Sequence, residues 1–255
     1  APSEPFPPGT RNISSGEPPS PDLRSIASGE SPPPSLRIIS RGEPLPPVDY
    51  HCPLLSLPLA FDTQLHTIPA AVPYLAADPT RIASWARRLQ QLPGLRVGIA
   101  WQGNLQVERL VWARGRSIPL AAFAPLAELP GVSLVSLQKG PGAEQLRAVA
   151  FRDRVLDLGD ELDRGPDAFL DTAAIMAGLD LIITSDTSIA HLAGALARPT
   201  WVALNASPDW RWLLDRTDSP WYPTMRLFRQ PGTNSGWDPV IAELAMALAQ
   251  RAAQH

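Results

Sequence analysis

The fold is decided by the stretch Leu181-Ile-Ile-Thr-Ser-Asp-Thr-Ser-Ile-Ala-His-Leu-Ala-Gly-Ala-Leu-Ala-Arg-Pro199 and the segment Thr200-Trp-Val-Ala-Leu204 that follows it. The stretch begins with four apolar or β-branched residues and then changes to small apolar residues at helical spacing. This pattern predicts a strand, a tight turn, a helix and a second strand. Such a unit is typical of an α/β protein whose polar turns lie at the carboxyl edge of a sheet.

The turn in this stretch contains Asp186, Thr187 and Ser188, where the backbone N–H groups of the helix lack helical partners. One of these side chains is expected to cap the helix, and an anion would bind well at the same place. His191 lies one helical turn after Thr187 and can add a donor there. Removing His191 should then weaken anion binding with little change in stability. The alternative is an ordinary helix cap beside a structural histidine.

The sequence Asp186-Thr-Ser-Ile-Ala-His-Leu-Ala-Gly-Ala-Leu196 resembles the nucleotide-sugar signature of glycosyltransferase family 9, the ADP-heptose:lipopolysaccharide heptosyltransferases. The likeness is closer to bacterial proteins in which tetratricopeptide repeats precede a heptosyltransferase-like domain. It also rests on Pro208-Asp-Trp-Arg-Trp-Leu-Leu214 and Ser219-Pro-Trp-Tyr-Pro-Thr-Met-Arg-Leu-Phe-Arg-Gln230, and it covers about residues 41 to 250.

This resemblance implies a GT-B-type glycosyltransferase that transfers a hexosyl or heptosyl group from a nucleotide-diphosphate sugar. The chain would supply its donor-binding, carboxyl-terminal half, and Asp186, Thr187, Ser188 and His191 would contact the donor pyrophosphate and sugar. The amino-terminal half of such an enzyme, with its catalytic acid, has no counterpart in the sequence, so the catalytic residue is unknown. The chain would be an active enzyme only with an acceptor half supplied upstream or in trans.

Composition excludes several classes of protein. A net charge of −3 gives no reason to expect a nucleic-acid or membrane-surface partner, and a hydrophobic content of 44% is ample for a core. The single cysteine, Cys52, cannot form an internal disulfide, and no apolar run approaches the roughly 20 residues of a membrane span. The expected location is the cytoplasm. The start at Ala1, without a signal-like segment, suggests a fragment or a processed chain.

The chain divides into three predicted regions. Residues 1–43 contain three 13-residue repeats rich in proline and serine, which predict a disordered leader; a short β-solenoid is the alternative. Residues 44–94 are expected to be a remnant strand of the amino-terminal domain and a linker helix that starts at Asp78-Pro79. Residues 95–255 are predicted to form the nucleotide-sugar-binding domain.

That last region alternates between strand and helix patterns. Strands are predicted at 95–101, 132–138, 154–158, 181–185, 200–204 and 225–229, and helices near 118–129, 142–149, 167–179, 188–197 and 238–252. The near-continuous apolar strands favour a Rossmann-like, doubly wound parallel sheet with ligands at its carboxyl edge.

The first polar turn on this edge is Gln102-Gly103-Asn104, whose amides suit phosphate oxygens and whose glycine lets the backbone approach a ligand. By the resemblance, Arg116 is the basic residue of the family's first phosphate loop. Lys139 is the only lysine in the chain. It is either a phosphate-binding ammonium or a solvated turn residue, and the sequence leaves both open.

Three further residues are candidates for contact with the nucleoside. Glu144 either complements a helix dipole or, by the resemblance, holds the donor ribose. Asp171 and Thr172 lie near a helix start, under the expected nucleoside position, although capping and packing explain them as well. The acidic segment Leu158–Asp163 lacks the spacing of a calcium loop, and a site built on helix termini and arginines needs no metal.

Three functions from different classes remain open. The first is the glycosyltransferase, which needs no cofactor besides its nucleotide-sugar donor and whose acceptor glycan or protein is unknown. The second is a non-catalytic nucleotide-sugar-binding or scaffold module. The third is an NAD-dependent enzyme, which the missing Gly-x-Gly-x-x-Gly motif argues against.

Overall fold

The computed structural model of the chain describes residues 11–12, 42–108, 115–164 and 168–255. The chain falls into two compact units, Ala1–Ile68 and Pro69–His255. Nearly all of the predicted disordered repeats, residues 1–43, lie outside the described residues. Within the described ranges, none of the helices has the length and apolar character that crossing a membrane requires.

The first unit contains only short elements in its described part. Its strand Tyr50–His51 pairs in parallel with Arg11–Asn12. The segments that follow are the 3-10 helix Leu54–Ser56, the one-turn helix Leu57–Ala60 and the 3-10 helix Leu65–Thr67. The predicted division of the chain into three regions stays a prediction.

The second unit is built on a six-stranded parallel sheet. Its strands are β1 Leu95–Ala100, β2 Val132–Ser136, β3 Val155–Leu156, β4 Leu181–Ser185, β5 Thr200–Leu204 and β6 Met225–Arg229. They lie side by side in the order β3-β2-β1-β4-β5-β6, which is the strand order of a dinucleotide-binding Rossmann sheet. The predicted fold class, α/β with a doubly wound parallel sheet, is confirmed.

Four longer helices cover the sheet: α1 Pro79–Leu89, α2 Leu170–Ala177, α3 Ser188–Ala195 and α4 Asp238–Ala252. Helix α1 starts as predicted, because the Asp78 carboxylate accepts hydrogen bonds from the backbone N–H groups of Thr80 and Arg81 at 2.7 and 3.1 Å. Shorter helical segments are Leu105–Glu108, Leu120–Phe123, Ala124–Ala127, Ala143–Ala148, Arg152–Arg154, Gly159–Glu161 and Trp210–Trp212.

Alternate residues of the strands face two separate hydrophobic layers. Val97, Ile99 and Ile183 pack with helix α4 on one face, whereas Ala100 and Ile182 pack with helices α1, α2 and α3 on the other. Both faces are therefore covered, as the near-continuous apolar strands predict.

Two predicted helices are shorter or tighter than expected. The region 118–129 is split into a 3-10 segment and one α-turn, because Pro125 cannot donate the hydrogen bond that a continuous helix needs at that position. The region 142–149 contains only the 3-10 helix Ala143–Ala148.

The strand order reverses between β1 and β4, which are hydrogen-bonded neighbours. The polar turn after β1 begins at Trp101, and the turn after β4 begins at Asp186. In open α/β sheets, ligands bind in the crevice outside the carboxyl ends of the strands at this point of reversal. The topology thus places the two predicted turns on either side of a natural binding crevice.

Candidate functional site

A cavity of about 760 Å³ lies at the carboxyl ends of β1, β2 and β4. All nine residues predicted to contact a donor pyrophosphate and sugar line it, although they come from four separate segments of the chain: Gln102, Gly103, Asn104, Arg116, Lys139, Asp186, Thr187, Ser188 and His191. Thr172 also lines the cavity, whereas Glu144 and Asp171 are not among its lining residues. The geometry brings the predicted residues together, and their role in binding stays a prediction.

Helix α3 begins at the cavity without a side-chain cap. Its N-cap residue is Thr187, whose backbone is extended and whose side chain accepts no hydrogen bond from the helix. The Thr187 hydroxyl instead contacts that of Thr184 at 3.2 Å. The expectation that Asp186, Thr187 or Ser188 caps the helix is therefore wrong for the described structure. The backbone N–H groups at the start of α3 remain available to an anion.

Asp186 is a buried carboxyl group, with 8% of the residue exposed. Burial raises the pKa of Asp186, and the neighbouring Trp212 indole and His191 offset this only in part. The offset by Trp212 is incomplete because its indole N–H makes no regular hydrogen bond to any described residue. Asp186, which precedes the helix in the chain, is therefore a desolvated carboxyl group and does not cap the helix.

Replacing Asp186 by asparagine should not destabilise the protein at pH 8. A lost helix cap would lower the free energy of unfolding by about 1 kcal/mol. Because the pKa of Asp186 in the folded protein is raised above the model value of 3.8, ionisation of Asp186 opposes folding; this cost is absent below pH 3.8, builds up as the pH rises to the folded-state pKa and stays constant above it. Urea unfolding of both proteins at pH 8 and about pH 3 tests this. Asp186→Asn should match or exceed the parent at pH 8 and lose that advantage at the lower pH; a loss of about 1 kcal/mol at both values would show that Asp186 does cap the helix.

His191 is held on two sides by aromatic residues. Its ring is stacked on Trp212 with a centroid distance of 5.4 Å, and its Nδ1 atom lies 3.2 Å from the Tyr222 hydroxyl. Because Tyr222 occupies Nδ1, Nε2 is the ring nitrogen left for a ligand. Burial lowers the pKa of His191, and the charge of Asp186 offsets part of that effect. The imidazole is therefore predominantly neutral at neutral pH.

Arg116 is fixed between the first polar turn and an acidic residue. Its Nε atom lies 3.7 Å from Glu108, which also accepts a short hydrogen bond from the Ser117 hydroxyl. The Ser117 oxygen in turn accepts the Gly103 N–H at 3.1 Å. A Cβ atom on Gly103 would lie only 3.1 Å from Arg116 Nε, so glycine lets the guanidinium lie against the turn. In the described part of the chain, Arg116 Nε is buried without a hydrogen-bond partner.

Gln138, which the sequence analysis did not select, joins the turns after β1 and β2. Its Oε1 atom accepts the N–H groups of Trp101 and Gln102 at 3.1 and 3.0 Å, and its Nε2 atom donates to the carbonyls of Gln102 and Pro141. It also lines the cavity. A polar residue at the end of an apolar strand is the sequence feature that could have identified Gln138 as a site residue.

Lys139 fits neither of its two predicted roles fully. Its ammonium donates to the carbonyls of Leu162 and Asp163, at 2.6 Å for Leu162, so it holds the loop after β3 against the cavity wall. It still lines the cavity. Lys139 thus combines a structural bond with a positive charge at the site.

Asp163 is a second residue that the sequence analysis did not assign. Its buried carboxylate accepts the backbone N–H groups of Asp171 and Thr172 at 2.7 and 3.1 Å, and it also accepts the Thr172 hydroxyl. Asp163 thereby caps helix α2, which begins seven residues later at Leu170. Thr172 reaches the cavity wall as part of this arrangement.

The remaining two predicted nucleoside contacts point to structural roles. The Glu144 carboxylate accepts the Gly142 N–H at 2.8 Å within its own turn. Asp171 pairs with Arg81 at 2.9 Å and accepts the Trp85 indole N–H at 3.2 Å. Burial alone would raise the pKa of Asp171, but these two partners outweigh it and lower the pKa. Neither residue is among those that line the larger cavity, and their contact with a nucleoside stays a prediction.

A smaller cavity of about 220 Å³ adjoins the first. It shares Arg116, Asp186 and His191 with the larger one, and the loop after β5 supplies the other lining residues, Asn205, Ser207, Asp209 and Arg211. The same loop carries two tryptophans: Trp212 is buried, whereas Trp210 is half-exposed against the edge of Trp221.

Within the described ranges, no three histidine, cysteine, aspartate or glutamate residues come together as a metal-binding group. The expectation that the site works without a metal stays a prediction.

Comparison with known proteins gives a limited set of matches. No protein-family model matches the sequence. In an alignment of 191 positions that covers 71% of this chain, the chain is 34% identical to the protein FlbA of Caulobacter vibrioides. The chain spans only 29% of the length of FlbA.

The solved structures that align with the chain include two heptosyltransferases from E. coli. ADP-heptose LPS heptosyltransferase II aligns with a TM-score of 0.49 and 17% identity, over 72% of this chain and 55% of that one. The heptosyltransferase WaaC with ADP aligns with a TM-score of 0.44 and 14% identity, over 74% and 55%.

Proposed function

We propose that the second unit binds a nucleotide-diphosphate sugar in the larger cavity and serves as the donor-binding half of a glycosyltransferase. One observation carries the proposal. Nine residues selected from sequence alone, as contacts of a donor pyrophosphate and sugar, line a single cavity at the reversal point of the sheet. The resemblance to glycosyltransferase family 9 supports the same ligand.

The chemistry of the cavity suits a diphosphate. The uncapped start of α3 offers backbone N–H groups and the positive end of the helix dipole. Arg116, whose Nε lies 3.7 Å from Glu108, adds a guanidinium charge at the cavity wall, and His191 adds Nε2. The diphosphate would lie between these three groups.

Other lining residues of the cavity suit a nucleoside. They include Thr172, Ala168 and Phe169, and Phe169 is 43% exposed. A base can stack on Phe169, and such stacking is tolerant of base identity. The nucleoside would therefore occupy the space under helix α2.

A non-catalytic binding module is the second candidate, and one observation favours it. Among the described residues that line the larger cavity, the only carboxyl groups are those of Asp163 and Asp186. Asp163 is occupied by the start of α2. The raised pKa of Asp186 would favour a general base, but only 8% of the residue is exposed. Neither carboxylate is openly accessible to an acceptor hydroxyl, so in this reading transfer would need a base from another unit.

Calorimetric titration with ADP, GDP and UDP tests the proposal. The parent protein should bind at least one of them, and Arg116→Gln should bind it ~10- to 100-fold more weakly, because a charge-assisted hydrogen bond contributes about 1.5–3 kcal/mol. Arg226→Gln, on the exposed surface of β6, is the control. Sugar transfer, assayed with and without an added acceptor half, then separates the enzyme from the binding module. Absence of binding by the parent would reject both candidates.

Binding should also take up protons through His191. The pKa of His191 is lowered by burial in the free protein, and a bound diphosphate favours the protonated ring and raises that pKa. Affinity should therefore rise as the pH falls from 8 through the bound-state pKa and level off below the free-state pKa. Titrations in two buffers with different ionisation enthalpies measure the uptake. The phosphate itself titrates near pH 6, so the contribution of the histidine is the difference in proton uptake between the parent and His191→Phe. Equal proton uptake in the two proteins would show that His191 is not the group that is protonated on binding.

A further inference from the structure

His191 can carry a positive charge in its buried position only if both of its ring N–H groups find acceptors. Burial lowers the pKa of His191, and this effect is the largest of those that act on the ring. A buried imidazolium with an unpaired N–H group loses hydration without compensation. The groups that pair with Nδ1 and Nε2 therefore decide whether the ring is charged.

The charged groups around His191 act on its protonation in opposite directions. The carboxyl groups of Asp186 and Asp209 raise the pKa of His191, whereas the Arg211 guanidinium lowers it. Arg116 lines both cavities together with His191 and adds a second positive charge there. Because charges of both signs act on the ring, the hydrogen bond at Nδ1 gains importance.

Tyr222 is held beside the Nδ1 atom of His191 by close packing. Its hydroxyl lies 3.2 Å from Nδ1, and the two rings are inclined by 57° with a centroid distance of 5.9 Å. Gly194, on the same helix as His191, makes this approach possible, because a Cβ atom there would lie 2.4 Å from the Tyr222 ring. Helix α3 thus carries both the histidine and the space that its partner needs.

The Tyr222 phenol remains protonated at neutral pH, so it can accept a hydrogen bond and donate another. Burial raises the pKa of Tyr222 above its usual value of 10.0, and the neighbouring Tyr74 phenol raises it further. Tyr74 is 59% exposed, and its backbone N–H donates to Ala195 of helix α3 at 3.0 Å. When the Tyr222 oxygen accepts from an imidazolium, its own proton can turn toward Tyr74 or water.

We infer that Tyr222 is a positioning residue for anion binding: its hydroxyl accepts the Nδ1–H of protonated His191 and thereby directs a charged Nε2–H to the ligand. Tyr222 acts only through His191, since it is not among the residues that line either cavity. The inference rests on the proposed function for the ligand, a nucleoside diphosphate, but the protonation of His191 in the free protein can be measured without it.

Tyr222→Phe tests the inference, because it removes the hydroxyl and keeps the ring against Gly194. NMR titration of the histidine ring C–H signals follows the pKa of His191 in the free protein. The chain has four histidines, and the signals of His191 are those missing from His191→Phe. Tyr222→Phe should lower the pKa of His191, because a charge-assisted hydrogen bond is about twice as strong as a neutral one. Tyr74→Phe removes a neighbouring hydroxyl and keeps the partner of Nδ1, so this control should change the pKa less.

Calorimetric titration with ADP, GDP and UDP over a range of pH then measures the effect on binding. The loss of the Tyr222 hydroxyl lowers the pKa of His191 in the free and the bound protein alike. Affinity should therefore fall most between these two pKa values, by ~3- to 10-fold, and stay within about twofold of the parent well above both. The pH range of proton uptake should move to lower values. A tyrosine that only packs against helix α3 would instead change affinity equally at every pH.

Two results overturn the inference and leave the proposed function standing: an unchanged pKa of His191 in Tyr222→Phe, or a loss of affinity that does not depend on pH. A parent that binds none of the three nucleoside diphosphates rejects the proposed function. The NMR titration then decides by itself whether Tyr222 pairs with the protonated ring.

Discussion

Replacing His191 by alanine should weaken nucleoside-diphosphate binding by about 1–3 kcal/mol, which is ~5- to 150-fold in the dissociation constant. The Tyr222 hydroxyl occupies Nδ1, so the ring presents Nε2 at the junction of the two cavities. A bound diphosphate favours the protonated ring, and a charge-assisted hydrogen bond is about twice as strong as a neutral one.

The aromatic contacts of His191 change one sequence-based expectation. The sequence predicts that His191→Ala leaves stability nearly unchanged, but the ring stacks on the buried Trp212. Alanine should therefore also lower the free energy of unfolding, by about 1 kcal/mol for the lost aromatic contact. His191→Phe keeps the stack and removes the nitrogen atoms, so it separates the two effects.

Calorimetric titration and urea unfolding of the parent, His191→Ala and His191→Phe decide the question. Both variants should lose affinity, and alanine should lose more stability than phenylalanine. His66→Ala, at an exposed position of the first unit, is the control. Full affinity in His191→Phe would show that the histidine serves only to pack against Trp212.

The sheet and the cavity could both be anticipated from local sequence. The strands β1, β4 and β5 are nearly continuous apolar runs, which only a sheet covered on both faces can bury. The polar residues that follow them then fall on one edge, because parallel strands end on the same side. The nine residues of the donor set therefore meet although Gln102 and His191 are far apart in the chain.

What the sequence could not show depends on long-range contacts. Helix α3 lacks a side-chain cap because the Thr187 hydroxyl contacts that of Thr184 and Asp186 is buried, and neither is visible in an Asp-Thr-Ser triplet. Tyr222 meets His191 only because the Tyr222 ring packs against Gly194 on the same helix, where a Cβ atom would lie 2.4 Å from that ring. Local sequence propensities cannot predict contacts between residues that are so far apart in the chain.

Asp163 is the clearest example of a residue whose role depends on a contact that local sequence does not show. Its carboxylate accepts hydrogen bonds from the first turn of a helix that begins seven residues later. It is 4% exposed, and its carboxylate accepts the N–H groups of Asp171 and Thr172, the second and third residues of α2. Its own backbone has a φ of 47°, a left-handed conformation that aspartate and asparagine tolerate better than other residues with a side chain. The sequence shows only an acidic segment without the spacing of a calcium-binding loop.

Replacing Asp163 by alanine should therefore have the largest effect on stability, a loss of about 3 kcal/mol. A lost cap costs about 1 kcal/mol, the left-handed backbone costs alanine about 1 kcal/mol more, and a buried N–H left without an acceptor costs at least as much. Asp163→Asn keeps one acceptor oxygen and the backbone preference, so it should lose only about 1 kcal/mol. Asp157→Ala removes an exposed carboxylate from the same loop, where it accepts the Gly159 N–H at 2.9 Å, and should lose less stability than Asp163→Asn.

Urea unfolding of the parent and the three variants measures these differences in the free energy of unfolding. Equal losses in Asp163→Ala and Asp157→Ala would mean that α2 does not depend on this carboxylate, and that another group holds Thr172 at the wall of the cavity.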